Sequence, residues 1–432
     1  MQDNPYSRTG DSRLFILDVV GGEPEVLEGV TDGVQPNWSP NGHRIAYWGL
    51  EVGQGQRDLW TIPATGGEPV RVTNDEAIDF SPVWSPDGSW IYFASTRGGS
   101  MAIWRVAVDE QSGTTRGEPQ PITTGGLTEP GMLSLSADGS KLLYTATATR
   151  GTIFAAAFDP DTLQLASDPV ALVEGSRRIH QAEVSHDGTR LVYRTGGAQQ
   201  DLYVTSVDDG REQQITNDAA KDWAPRWSPA DDRIAYYSNQ NGFYEVWVVQ
   251  PDGTRPTRLT DIPDDNMLRP TWSPDGTKII FSVRIKTPVI IDADVGYAEQ
   301  TMVELPKISG HEDTWFRASD WRQEEPSIVG ESSGVGEFSG VWVYDTQTRE
   351  FEQLVEGVAA IGSTWLADGR RILYRVPSTG QLFVVDRISK QRWEVDAPGA
   401  ESVVLSADNR RIYLVQEEAE SDIWLAELGQ GR

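Results

Sequence analysis

A turn flanked by two strands returns along the whole chain, and that recurrence constrains the fold more than any other feature. Near-complete copies read PNWSPNGHRIAYWG at Trp38, PVWSPDGSWIYFAS at Trp84, PRWSPADDRIAYYS at Trp227 and PTWSPDGTKIIFSV at Trp272. Worn copies read LSLSADGSKLLYTA at Leu135, AEVSHDGTRLVYRT at Val184, STWLADGRRILYRV at Trp365 and VVLSADNRRIYLVQ at Leu405. A ninth, ASDWRQEEPSIVGE, lies at Trp321. Successive anchors are 46, 51, 49, 43, 45, 49, 44 and 40 residues apart. Self-similarity at such a period marks a repeat architecture.

One unit can be read physically. The anchor sits on a short strand. Ser-Pro-Asp-Gly then turns the chain, with Pro pre-setting φ and Gly accepting a positive φ. A second strand follows, such as WIYFAS, rich in β-branched and aromatic residues. A third strand comes soon after (AIWRVAV, DLYVTSV, EVWVVQ, GVWVYDT, QLFVVDR), and a fourth, short one carries REQQITND or TRPTRLTD. Four antiparallel strands every 40–50 residues spell a β-propeller blade, a sheet that buries both faces only between neighbours. The expectation is all-β: a single β-propeller of four-stranded antiparallel blades, nine by count, or eight if one copy is decorative. The opening strands SRLFILDV and PEVLEG read as the end of a blade that the last segment, RIYLVQ and DIWLAEL, completes. Residues 1–12 and 429–432 are then tails on a propeller spanning 13–428.

WSPDG followed by I-x-F/Y, a strand ending in Asp-Gly and a strand ending in LT or IT resembles the TolB-type propeller repeat. Related repeats occur in the propellers of the tricorn and prolyl oligopeptidase families. The resemblance covers about residues 13–428. It implies a scaffold that binds a protein or peptide at its channel mouth, or one that senses or gates beside a catalytic domain. It also implies work outside the cytoplasm, in the periplasm or extracellular space.

Composition narrows the partners. The chain has 65 acidic and 37 basic residues and a net charge of −28. Such a field repels phosphate backbones, which argues against nucleic acid and for a self-repelling monomer. An acidic surface with few lysines also suits high salt. No apolar run reaches the roughly 18–20 residues that span a bilayer, and the first residues show no signal-peptide pattern. With no cysteine, disulfides and thiolate metal sites are excluded.

Chemistry-bearing motifs are sparse. GESSG, Gly330 to Gly334, matches the nucleophile-elbow pattern but runs into a blade strand and lacks a following helix. His43, His180, His186 and His311 form no H-E-x-x-H pair. HED, His311 to Asp313, reads as a polar loop beside Trp315. DADVG at Asp292 lacks the ligands of an EF-hand. The glycines of GVGEFSG lack a strand-to-helix setting for a phosphate. The expectation is therefore no enzyme, no metal and no cofactor. The alternatives are a propeller detached from a peptidase, amidohydrolase or membrane-anchored kinase, and a propeller hydrolase with acidic channel residues. The loop before each innermost strand should open at the channel mouth. That places Asp79, Phe80, His180, Asp222, Trp223, Met267, Arg269, Trp315 and Arg317 as candidate ligand contacts, aromatic groups beside charges.

Overall fold

A computed structural model describes residues 12–428 except 51–56, 76, 99–100, 124–128, 176, 197–199, 219, 263–266, 284–286, 311–313, 322–326, 334–338 and 398. Among the described residues the only helical element is a 3-10 turn at Tyr297–Glu299. Everything else regular is antiparallel strand.

The second repeat shows how one unit is made. Asp79–Trp84, Trp90–Ser95, Ala102–Ala107 and Gln120–Pro121 pair in chain order. Ser85 Oγ donates to Asp87 Oδ1 and accepts the Trp90 amide at 2.9 Å, while Asp87 also accepts the Ser89 amide at 3.1 Å. Gly88 completes the turn at φ +69°. The same Ser–Asp wiring recurs at Ser136, Ser185, Ser273 and Ser406. At the other end, the threonine of the LT or IT dipeptide latches the third strand. Thr73, Thr123, Thr216 and Thr260 accept the amides of Leu59, Ile103, Leu202 and Val246 at 2.9–3.0 Å. The repeated letters are thus turn and latch chemistry.

Among the described residues nine strands carry the anchors, one each, but they do not form one ring. Six sheets pack in cyclic order. Val192 and Leu202 meet Trp227 and Ile234; Tyr237 and Val246 meet Trp272 and Phe281; Ile280 meets Phe316 and Ile328. Val329 and Val343 meet Trp365 and Ile372, Leu373 and Val384 meet Ile412 and Leu414, and Ile153 and Tyr413 return to Ile179 and Tyr193. The three remaining sheets form a separate stack around Trp48, Leu59, Phe80, Trp84, Phe93, Leu133 and Leu142.

Two long strands join the stack to the ring. Lys141–Asp159 and Arg411–Glu427 each run unbroken for 19 and 17 residues. They pair from Lys141 opposite Glu427 to Ala157 opposite Arg411. A regular four-stranded blade would need a turn in each place. TATATRGTIF and VQEEAESDIW contain no proline and a single glycine, so nothing reverses the chain. Both hairpins open and exchange partners. Residues 141–147 with 421–427 complete the third sheet of the stack, whereas 152–157 with 411–416 build the last sheet of the ring.

The expected sharing of one blade between the two chain ends is therefore replaced. Phe15–Ile16 and Glu25–Val26 pair with each other, and Leu14, Leu27 and Val30 cover Ile45, Tyr47 and Ile62 of the first sheet. The outer face of the third sheet leaves Leu143, Ile423 and Leu425 exposed. Gly151 marks the crossing. A Cβ there would lie 2.3 Å from the Ile179 amide nitrogen, so the exchanged strand passes the ring only without a side chain. Gly151→Ala is expected to cost about 1–3 kcal/mol by overpacking, measured by urea denaturation.

Candidate functional site

The six innermost strands of the ring are Ile179–Val184, Asp222–Trp227, Met267–Trp272, Phe316–Trp321, Ile361–Trp365 and Ser402–Leu405. Five of them carry a register shift in their pairing with the second strand. In four of these, the residue three before the anchor has a positive φ: Gln181, Ala224, Arg269 and Gly362. A bulge re-aims the side chains that flank it. A cavity of about 420 Å³ runs along these strands, lined by Gln181, Arg226, Arg269, Asp320, Thr364 and Arg375 among others.

The wall is wired between sheets. Arg226 pairs with Glu183 and donates to the Ser319 carbonyl at 3.2 Å. Glu331 accepts Ser319 Oγ at 2.8 Å and the Ser363 amide at 2.6 Å. Asp320 accepts Thr364 Oγ1 at 2.8 Å and the Trp365 amide at 2.9 Å. Gln181 Oε1 takes Arg194 Nε at 3.0 Å and the Ala224 amide at 3.2 Å.

Arg269 is different. It makes no hydrogen bond or ion pair among the described residues, and its Nη1 lies 3.5 Å from where a Cβ on Gly362 would sit. Burial, then the neighbouring Arg226, pulls its guanidinium below the usual arginine range, with Glu331 opposing. Nearby, Arg317 Nε and Arg375 Nε are buried without a hydrogen-bond partner among the described residues. Arg269 and the Nε of Arg375, both in the cavity wall, thus lack a hydrogen-bond partner among the described residues.

The other predicted contacts fall into distinct places. Phe80 is 1% exposed and packs edge-on against Trp48 in the stack, with Arg57 5.9 Å from its ring centre. Asp79 is buried there too and accepts Arg97 Nη2 at 3.0 and 2.8 Å. Asp222 is buried in the ring, and burial pushes its carboxyl up to about 7. The residue five before the anchor thus turns back under its own loop. Trp223 lies at the mouth with Arg194 stacked 4.1 Å from its ring centre, beside Tyr237 and Tyr244. Beneath it Lys221 is buried, and burial with Arg57 and Arg194 holds its amine well below the usual lysine range.

His180 is at the mouth, 2.8 Å from Glu417. Trp315 is half-buried, with Lys307 over its ring at 5.7 Å. Met267 opens its strand. The His311–Asp313 loop lies outside the described residues. Ser332 of GESSG is buried in mid-strand within Ser327–Ser333, where no elbow can form.

Two stretches, residues 6–169 and 167–401, match the family described as the TolB beta propeller domain. The chain belongs to that family. Among curated relatives of this TolB-family chain, the Tol-Pal system protein TolB of Francisella tularensis subsp. mediasiatica is 29% identical over 290 residues, covering 63% of this chain and 62% of that protein. The uncharacterized protein Atu1656 of Agrobacterium fabrum is 36% identical over 103 residues, 24% of this chain and 34% of that protein. The chain thus spans about a third to two thirds of the length of these relatives. Among solved structures, TolB from Acinetobacter baumannii matches with a TM-score of 0.45 and 14% identity, over 81% of this chain and 82% of that one.

Proposed function

We propose that this TolB-family propeller binds an extended segment of a partner protein in the channel of its six-sheet ring, without acting on it chemically. The observation that carries the reading is the 420 Å³ cavity, in the range of ligand sites, whose wall offers Arg269 with no hydrogen-bond or ion-pair partner among the described residues. Bulged strands present polar groups from several sheets at once, which suits an extended chain with both backbone and side-chain contacts. The likeness to the Tol-Pal system protein TolB is the ground for placing the protein in an extracytoplasmic, protein-binding system. A monomeric ring is sufficient for the site.

Peptide display on the immobilised chain, followed by fluorescence anisotropy with the selected peptides, tests this. Selected peptides should bind Arg269→Ala at least about tenfold more weakly, the loss expected for a desolvated charged contact. Trp38→Ala, on the stack, should bind as the unaltered chain does. Peptides indifferent to Arg269→Ala would refute the channel as the site. Hydrolysis of a bound peptide would refute the non-catalytic reading.

A further inference from the structure

At the rim of the ring three potential ligands converge from distant parts of the chain. His180 lies on Ile179–Val184, Glu401 just precedes Ser402–Leu405, and Glu417 lies on Arg411–Glu427. One ligand atom from each lies within 4.8 Å of the others. We propose that His180, Glu401 and Glu417 bind a divalent transition metal of the zinc type.

Two of the three are held in place. The Glu417 side chain is only 6% exposed, and Arg178 Nε donates to its Oε2 at 3.0 Å. That contact orients the carboxylate and leaves Oε1 facing His180 Nδ1 across 2.8 Å. The two are close enough to share a proton, and a bound cation would take that proton's place. A carboxylate oxygen and a ring nitrogen at this separation, with Glu401 beside them, fit ligands of one cation. Bonds of about 2.0–2.2 Å to nitrogen and carboxylate oxygen place such atoms about 3.4 Å apart in a tetrahedral site, so a shift of a few tenths of an ångström suffices.

The third ligand, Glu401, is exposed and free to swing in. A fourth position stays open to water. Arg178 then plays the outer-shell part that ligating carboxylates ordinarily have. The imidazole selects against calcium and magnesium, which prefer all-oxygen sites. Two carboxylates balance the charge of the ion. The cation would clasp two neighbouring sheets of the ring, since His180 belongs to one and both glutamates to the other.

The test uses the full chain, stripped with a chelator and desalted. Isothermal titration with zinc chloride should give one saturable equivalent and a raised melting temperature. Cobalt should give the intense visible absorption of a tetrahedral ion. His180→Ala and Glu401→Gln should each weaken zinc binding at least about tenfold, and His186→Ala should leave it unchanged. Glu401 is exposed, so Glu401→Gln keeps the fold, and its metal-free melting temperature checks this. No zinc uptake at micromolar concentration would overturn the proposal. So would binding that survives both ligand variants, or calcium that zinc fails to displace.

Discussion

Replacing Trp272 by alanine lowers stability by about 3–5 kcal/mol, the range for deleting a large buried aromatic side chain. Trp272 is 5% exposed and sits in the cluster that joins two ring sheets. Its Nε1 donates to the Arg226 carbonyl of the preceding sheet at 3.0 Å, and Arg233 lies 4.9 Å from its ring centre. Trp227 leans on its own predecessor in the same way, through the Glu183 carbonyl. Trp38 occupies the same place in the motif but is 50% exposed, because only a two-stranded ribbon precedes its sheet. Trp38→Ala should therefore change stability by less than about 1 kcal/mol. Urea denaturation of both variants checks the contrast. Equal losses would mean that anchors do not work by packing on the preceding sheet.

The second large effect concerns pH. Asp201 is buried at the head of a third strand, and burial, then Asp222 and Asp218, pushes its carboxyl up to about 8. In the unfolded chain it ionises near 4. Between those values the folded chain holds a proton that the unfolded chain has lost. The contribution is therefore favourable at acid pH and disappears as pH rises through about 8. Asp201→Asn keeps the shape and the Gln214 contact while removing the titration. The variant should match the unaltered chain at pH 4 and exceed it increasingly toward pH 9, by on the order of 3–5 kcal/mol. Melting temperatures at pH 4, 6.5 and 9 measure this, and a gap that does not widen with pH would disprove it.

The sheets were legible in the sequence because turn and latch residues repeat as letters. Ser85, Asp87 and Gly88 do the same job as Ser273, Asp275 and Gly276, so each unit announces itself. The partition into ring and stack was not legible. It follows from the missing breakers in TATATRGTIF and VQEEAESDIW, whose partners lie at opposite ends of the chain. Channel residues were partly legible. Counting back from each anchor reached His180 and Arg269 at the rim, but also Phe80 and Asp79, which turn inward. The bulge decides which residue faces the cavity, and Gln181 and Ala224 carry no letter that signals a left-handed backbone. Glu331 and Glu417 escaped notice because they lie on second strands, and GESSG, which contains Glu331, was read only for its serine.

The partner exchange of residues 141–157 with 411–427 also dictates an order of assembly. Thr147 and Ser421, which pair, are 274 residues apart. At translation rates of about 5–20 residues per second, the earlier strand waits tens of seconds for its mate. Throughout that interval its own neighbour, 152–157, is the nearest competitor. The third sheet of the stack and the last sheet of the ring both need residues 411–427, so both should close only after the rest of the chain is in place. Two chains at high concentration could trade the same strands, giving an entangled dimer by domain swapping.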